Sequence, residues 1–250
     1  MATALTMRSG NPVLNAETFR IPRVSTIDDS MTIEGTVNKT GLSLILLIIS
    51  ASYVWNLGLA DPAVNTWTMI GVFGGMITAL ATTFRPTWAP ITTPLYAVLE
   101  GAALGGISAV FEARYPGLVS QAIFLTFGTL GALLLAYRSG LIAATENFKL
   151  GVFAATGGIA LVYFLSFVLS WFGVSMPLVH SSSTAGILFS LFVVGIAALN
   201  LVLDFDFIEQ GAARGAPKYM EWYGAFGLLV TLVWLYLEIL HLLAKMQDRR

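Results

Sequence analysis

LVWLYLEILHLLAKM, residues 232–246, is an apolar run with a carboxylate, Glu238, in its middle. From Tyr223 to Leu237 the chain contains no Asp, Glu, Lys or Arg. About 20 mostly apolar residues are enough to cross a bilayer as a helix. A carboxylate inside such a helix costs about 2.5–3.5 kcal/mol on insertion scales, so it usually has a task. The run therefore predicts a membrane helix in which Glu238 has a function.

The composition of the whole chain also predicts a polytopic membrane protein. Of the 250 residues, 56% are hydrophobic and 11% are charged, and the mean hydropathy is +0.79. Soluble domains carry about 25% charged residues. The net charge is −1 and the few Lys and Arg form no basic stripe, so we expect the lipid bilayer and no nucleic acid as a partner. The chain has no cysteine, which excludes disulfides and thiolate-bound zinc.

Seven segments have the length and apolar character of spanning helices, and the fold class is therefore an all-α bundle of seven transmembrane helices. Loop-forming dipeptides such as Asp61-Pro62 and Arg85-Pro86 separate them. We expect a polar cytosolic tail over 1–40, a transmembrane domain over 41–246 and a short polar C-terminus over 247–250. Within the tail, 11–19 is either a short amphipathic segment or part of a disordered tail. The predicted spans are 41–60, 66–84, 90–111, 118–137, 151–173, 185–208 and 222–244.

The distribution of Lys and Arg predicts the orientation, since cytoplasmic loops are enriched in these residues. With seven spans, nine of the 13 Lys and Arg fall on the side of the N-terminus. We therefore expect a multi-pass protein of the cell (inner or plasma) membrane, with a cytosolic N-terminus and the C-terminus opposite. If the last helix stopped halfway and returned, both termini would be cytosolic.

Glycine spacing predicts close helix packing. Gly71/Gly75 and Gly101/Gly105 are GxxxG pairs, and small residues let helix backbones approach each other in a membrane. Glu100 precedes one of these pairs, and we expect it to face inward near Gly101 and Gly105. Further small residues add to this pattern: Gly128, Gly131, Gly157 and Gly158.

Acidic residues within or beside the spans are the candidate functional residues. No Lys or Arg lies in the middle of a span to pair with them, so they must share protons, bind a cation or contact water. These acids are Glu100 in the third span, Asp204, Asp206 and Glu209 at the end of the sixth, and Glu238 in the seventh.

Helical spacing groups these acids with other polar side chains. Asn200 and Asp204 lie one turn apart on the sixth helix. Because the sixth and seventh helices are antiparallel neighbours, we expect Asp204 and Glu238 to meet. Two carboxyls in a low dielectric share one proton and titrate as a unit. Oxygen-rich surroundings also suit Ca²⁺. The seventh helix places four side chains on one face, at spacings of four, three and four: Trp234, Glu238, His241 and Lys245.

Structural roles are the alternatives for the same residues. Glu238 could be a neutral acid that fixes helix packing, and Asp206 could be solvated at a helix end. Glu100 could hydrogen-bond within the bundle, for example to Tyr96. His241 could pack near the outer interface with a single hydrogen bond.

No enzyme motif accounts for these residues, and we therefore predict that the protein is not an enzyme. Glu238 and His241 resemble half of a di-iron site, but such a site needs a second Glu-x-x-His copy, which the chain lacks. GxGD, HExxH and P-loop motifs are absent, and "GGIS" at 105–108 does not fit a rhomboid-like protease.

Two segments carry a resemblance to the Bax inhibitor family, also called transmembrane Bax inhibitor motif proteins. LDFDFIEQG (203–211) is similar to the family's "YD-x-x-x-I" pattern, and LYLEILHLL (235–243) is similar to "L-Y-L-D-x-x-N-L-F". The segments at 11–19 and 85–101 look like a bacterial branch of the family. Glu238 stands where the family usually has Asp, and Leu203 stands where it usually has Tyr.

The resemblance implies a seven-helix fold with the last helix at the centre and an acid-sensitive calcium leak. Its two-carboxylate sensor would be Asp204 and Glu238, which would also be the residues that meet a metal ion, and Arg85 is a weak match to an alternative partner. The implied function is a pH-sensitive calcium leak without a cofactor. The alternatives are a non-conducting regulator, for example of a membrane protease, and a proton-coupled transporter. Other residues that could line a cation path are Glu100, Asn200, Asp206 and His241.

Overall fold

The computed structural model describes residues 30–174 and 176–249, and this part of the chain is all-helical. Seven of its helices are long and apolar enough to cross a membrane, which confirms the predicted fold class. A 3₁₀ turn, Pro86–Trp88, precedes α3, and a one-turn helix, Pro177–His180, precedes α6. The seven helices are α1 (Ile33–Leu57), α2 (Pro62–Phe84), α3 (Ala89–Arg114), α4 (Leu118–Arg138), α5 (Glu146–Trp171), α6 (Thr184–Ala213) and α7 (Met220–Asp248).

Side-chain caps make three helices begin earlier than their apolar parts predict. Asp61 caps α2, which begins at residue 62 rather than 66. Thr32 accepts a hydrogen bond from the Gly35 backbone N–H at 2.9 Å, so α1 begins at residue 33 rather than 41. Thr145 caps α5 in the same way, and that helix begins at 146 rather than 151. The last residues of the predicted tail are therefore helical. The rest of that tail, 1–29, including the 11–19 segment, lies outside the described residues.

Helix ends coincide with the predicted breaks. Gly58 ends α1 with a φ of 75°, a conformation that glycine adopts without steric cost. Asp61 then caps α2, and Pro62 occupies its first turn, where no backbone donor is needed. Gly117, with a φ of 82°, precedes α4.

The chain divides into two compact units, and the last helix contributes to both. The described part of the first unit comprises 30–114 and 206–230, and that of the second comprises 115–174, 176–205 and 231–249. In α7, 67% of the apolar window is buried, compared with 17% in α1 and in α5. The expectation that the last helix is largely shielded is therefore confirmed.

Glycines permit the close packing of α1, α2 and α3 in the first unit. A Cβ atom at Gly101 or Gly105 would collide with the backbone carbonyl of Leu47 or Ala51 on α1. A Cβ atom at Gly71 would collide with the backbone of α3. Both predicted GxxxG pairs therefore lie at helix contacts.

The packing prediction is wrong for the four other glycines that it named. A Cβ atom added at any of them would meet no atom within 4 Å, so they do not mediate close contacts within the described structure: Gly128, Gly131, Gly157 and Gly158.

Candidate functional site

Glu238 is held inside the second unit by two aromatic donors. Its side chain lies on α7 and is 6% exposed. Its Oε1 atom accepts a hydrogen bond from the Tyr163 hydroxyl of α5 at 2.8 Å and one from the Trp234 indole N–H at 3.2 Å. Trp234 is one turn earlier on the same helix, as the spacing of the polar face predicts. The carboxyl group therefore faces protein rather than lipid.

Asp204 and Asn200 form a second buried polar group on α6. Asp204 is fully buried and Asn200 is 1% exposed. The Asn200 amide donates to Thr156 Oγ1 on α5 at 2.9 Å and to the Ile196 carbonyl at 2.8 Å. Its carbonyl oxygen, Oδ1, is buried and accepts no hydrogen bond from the residues that the structure describes. The face predicted from the spacing of Asn200 and Asp204 is therefore buried.

Lys245, near the end of the last helix, joins α7 to α6. Its ammonium donates to Ser190 Oγ at 2.8 Å and to the Gly186 carbonyl at 3.4 Å. The meeting of Asp204 with Glu238 and their coupling remain predictions.

The other predicted residues lie apart from this group or at its edge. Glu100 is half-buried on α3, and its Oε2 atom lies beside Gly75 of α2. Gly101 and Gly105 contact α1 instead, so the predicted surroundings of Glu100 were wrong. Arg85 is exposed at the end of α2, with its guanidinium 5.9 Å from the Trp88 ring centre.

Asp206 and His241 differ in exposure from the buried acids. Asp206 is half-buried and accepts a hydrogen bond from the Gln210 side chain at 2.6 Å. His241 is exposed. Their assignment to a cation path remains a prediction.

Glu221, which the sequence analysis did not single out, is the centre of an ion cluster in the first unit. It lies in the first turn of α7 and is fully buried. It accepts hydrogen bonds from the Thr32 backbone N–H at 2.9 Å and from the Thr32 hydroxyl at 2.8 Å. Lys39 also donates to its carboxylate, and the Lys218 ammonium lies 3.1 Å away. The Met31 backbone N–H donates to the Ala216 carbonyl at 2.6 Å beside the cluster.

Only part of this cluster has a local sequence signal. Lys218 precedes Glu221 by three residues, and an acid in the first turn of a helix is favoured by the helix dipole. Those features predict a solvated helix start. The partners that bury the carboxylate come from the start of α1, 182 and 189 residues away, and no local pattern predicts them.

A resident metal site is not evident among the residues that the structure describes. They include no group of three or more His, Cys, Asp or Glu side chains placed to hold an ion. The contact of calcium with Asp204 and Glu238 remains a prediction.

Comparison with known proteins identifies the family. The family model described as Bax inhibitor 1 like matches residues 11–248, which is nearly the whole chain. Comparisons with curated proteins and with solved structures find no match. The matched region contains all seven helices and both buried acids of the second unit. The protein is a multi-pass membrane protein, and it belongs to the Bax inhibitor 1 like family.

Proposed function

We propose that the protein is a pH-sensitive leak for cations, with calcium as the transported ion, regulated by Asp204 and Glu238. The observation that carries the proposal is the burial of two carboxyls, 0% and 6% exposed, on consecutive helices of one unit. Acids inside a membrane protein are costly and mark ion or proton pathways. The family resemblance supports the same reading.

Protonation of Glu238 gives the leak a physical basis for its response to pH. The ionised carboxylate accepts hydrogen bonds from Tyr163 and Trp234, and the protonated form loses part of that acceptor capacity. A change of protonation therefore alters how α7 is bonded to α5. Asp204 contributes because two carboxyls buried in the same unit make each other costlier to ionise.

The oxygen atoms on α6 and α7 supply the cation chemistry. Calcium is a hard cation that takes six to eight oxygen ligands, some of them water. Asp204, Glu238 and the Asn200 carbonyl oxygen, which accepts no hydrogen bond within the described part of the chain, supply oxygen ligands of the required type. Water must complete the shell, which suits an ion in transit better than a resident one.

A non-conducting regulator is the second candidate, and one observation favours it. The Glu238 carboxyl receives two hydrogen bonds at ordinary distances, which is what an acid that fixes helix packing requires. In that case Asp204 and Glu238 stabilise the bundle and no ion passes.

Calcium entry into liposomes that contain the purified protein tests the proposal. The measurement is made from pH 5 to pH 8 for the parent, Asp204→Asn and Glu238→Gln. We expect the parent to conduct with a pH-dependent rate and both variants to show a flatter pH profile. Glu34→Gln is the control, because it removes an exposed acid in the first turn of α1 that has no place in the proposed path.

The outcomes separate the candidates. Absence of calcium entry in the parent at every pH would leave the non-conducting regulator. A calcium movement that requires an opposed proton gradient would indicate a proton-coupled transporter. An unchanged pH profile in both single variants would show that the acids are structural.

We also propose that the N-terminus is cytosolic and that the protein resides in the cell membrane. Lys and Arg are enriched on that side of the predicted topology. The chain has no cysteine, so single cysteines can report the topology. A membrane-impermeant maleimide added to intact cells should label Ser183→Cys, in the loop before α6, and should not label Ser139→Cys, after α4. The reverse pattern would invert the topology.

A further inference from the structure

Lys245 is held onto α6 rather than extended towards water. Its ammonium donates to Ser190 Oγ at 2.8 Å and to the Gly186 carbonyl at 3.4 Å. Ser190 is 2% exposed, and the lysine itself is half-buried. Lysines near the ends of membrane helices ordinarily extend their ammonium to the interface. This lysine instead places a fixed positive charge between α6 and α7.

The charge lies on the same side of α7 as Glu238. The two residues are seven apart, which is two turns or about 10 Å along the helix. Lys245 is the only Lys or Arg between Glu238 and Asp248, and Asp248 is exposed and accepts a hydrogen bond from the Tyr115 hydroxyl.

We propose that Lys245 is a selectivity residue that limits the passage of divalent cations at the end of the Glu238 face. This inference rests on the proposed cation leak and adds a determinant of which cations pass. An ion that moves from Glu238 towards the C-terminal end of α7 would pass close to the positively charged Lys245 ammonium. Because the Coulomb energy is proportional to the charge of the ion, the ammonium opposes Ca²⁺ twice as strongly in free energy as it opposes K⁺.

The proportionality gives a quantitative signature. A rate depends exponentially on the barrier, so the factor by which neutralisation raises the Ca²⁺ rate should be the square of the factor for K⁺. For an ion about 8 Å from the ammonium at a water-like dielectric of about 80, the increase is about 2.4-fold for K⁺ and about 6-fold for Ca²⁺. A loosened bundle would instead raise both rates by similar factors.

Flux measurements on four reconstituted proteins test the proposal. Ca²⁺ and K⁺ entry are measured in the same liposomes for the parent, Lys245→Gln, Lys245→Arg and Ser190→Ala, with rates normalised to reconstituted protein. We expect Lys245→Gln to raise the Ca²⁺ to K⁺ rate ratio about 2.4-fold. Lys245→Arg keeps the charge and should keep the parent ratio. Ser190→Ala keeps the charge but removes a tether, and should raise the ratio by less than Lys245→Gln does.

Arg249→Gln is the matched control, because it removes an exposed positive charge near the same end of α7. It should leave the ratio unchanged. If the parent conducts and Lys245→Gln leaves the ratio at the parent value, or raises both rates equally, this inference fails and the leak stands. If Lys245→Gln does not yield folded protein, a Lys245→Arg ratio that differs from that of the parent overturns the inference. If the parent protein conducts no cation, both the proposed function and this inference are overturned.

Discussion

The Tyr163 hydroxyl donates a 2.8 Å hydrogen bond to the carboxyl of Glu238, and so joins α5 to the last helix at the level of the buried acid. The strength of this hydrogen bond depends directly on the protonation state of Glu238. Trp234 donates to the same oxygen, so the acid keeps one partner if the tyrosine is changed.

Removal of the tyrosine hydroxyl should weaken the bundle and alter the response to pH. Tyr163→Phe keeps the ring and loses one hydrogen bond, which costs about 1 kcal/mol. We expect a lower midpoint of thermal unfolding in detergent and a shifted pH profile of calcium entry. Tyr53→Phe, at an exposed ring on α1, is the control and should change neither. A Tyr163→Phe protein identical to the parent in both measurements would contradict a functional role for this bond.

Asp204 and Glu238 should behave as one coupled unit. The double variant Asp204→Asn, Glu238→Gln should flatten the pH profile of calcium entry little more than either single change, since coupled residues are non-additive. Glu238→Asp should keep the pH response and shift its midpoint, because the shorter side chain changes the distances to Tyr163 and Trp234. Effects that add fully across the cycle would show two independent acids.

Glu100 should matter less to the leak than Asp204 does. It is half-buried on α3, in the first unit, whereas Asp204 is fully buried. Glu100→Gln keeps the shape of the side chain beside Gly75 and removes its charge. We expect a smaller change in the calcium entry rate than Asp204→Asn causes. An equal or larger loss of calcium entry in Glu100→Gln would indicate that the pH sensor lies on α3 instead.

The Glu221 cluster should contribute strongly to stability. Glu221→Ala leaves the Thr32 donors and two lysines without their shared acceptor, and we expect a loss of about 3 kcal/mol. Glu221→Gln retains an acceptor oxygen for Thr32 and should lose roughly half as much. Thermal unfolding in detergent measures both. Glu34→Gln, an exposed acid in the first turn of α1, should be neutral. If Glu221→Ala unfolds at the parent temperature, the cluster is not a stabilising element.

Substitution of glycine by alanine should lower stability at a helix contact and should not lower it at an open position. Gly101→Ala places a methyl group against the Leu47 carbonyl and should destabilise the bundle by about 1–3 kcal/mol. Gly128→Ala meets open space and should be neutral or stabilising by up to about 1 kcal/mol, since alanine favours the helix. The same unfolding assay compares the two. Equal midpoints would mean that α1 and α3 can separate slightly without cost.

Hydropathy and loop chemistry were sufficient to predict the fold. The seven helices follow from apolar runs divided by breaks such as Asp61-Pro62 and Arg85-Pro86, because both signals act within a few residues. The starts of α1, α2 and α5 were missed by eight, four and five residues, since their capping residues lie outside the apolar parts.

The candidate site was only partly predictable because its partners are distant in sequence. The spacing of Trp234 and Glu238 predicted that they share a face, and they share a hydrogen bond. Tyr163 lies 75 residues from Glu238, and nothing in its neighbourhood distinguishes it from other aromatic residues of the spans. The register of α6 against α7 also depends on tertiary contacts such as Lys245 with Ser190, which a helical repeat does not specify.

The distance along the chain between Thr32 and Glu221 has a consequence for biosynthesis. The two residues are 189 positions apart, so α1 emerges from the ribosome long before its acidic partner is made. Thr32 and Lys39 therefore lack their contact with Glu221 while the five helices between α1 and α7 are inserted. The cluster can therefore close only when nearly the whole chain has been translated, and a chain that stops before residue 221 lacks the carboxylate that ties its first helix to its last.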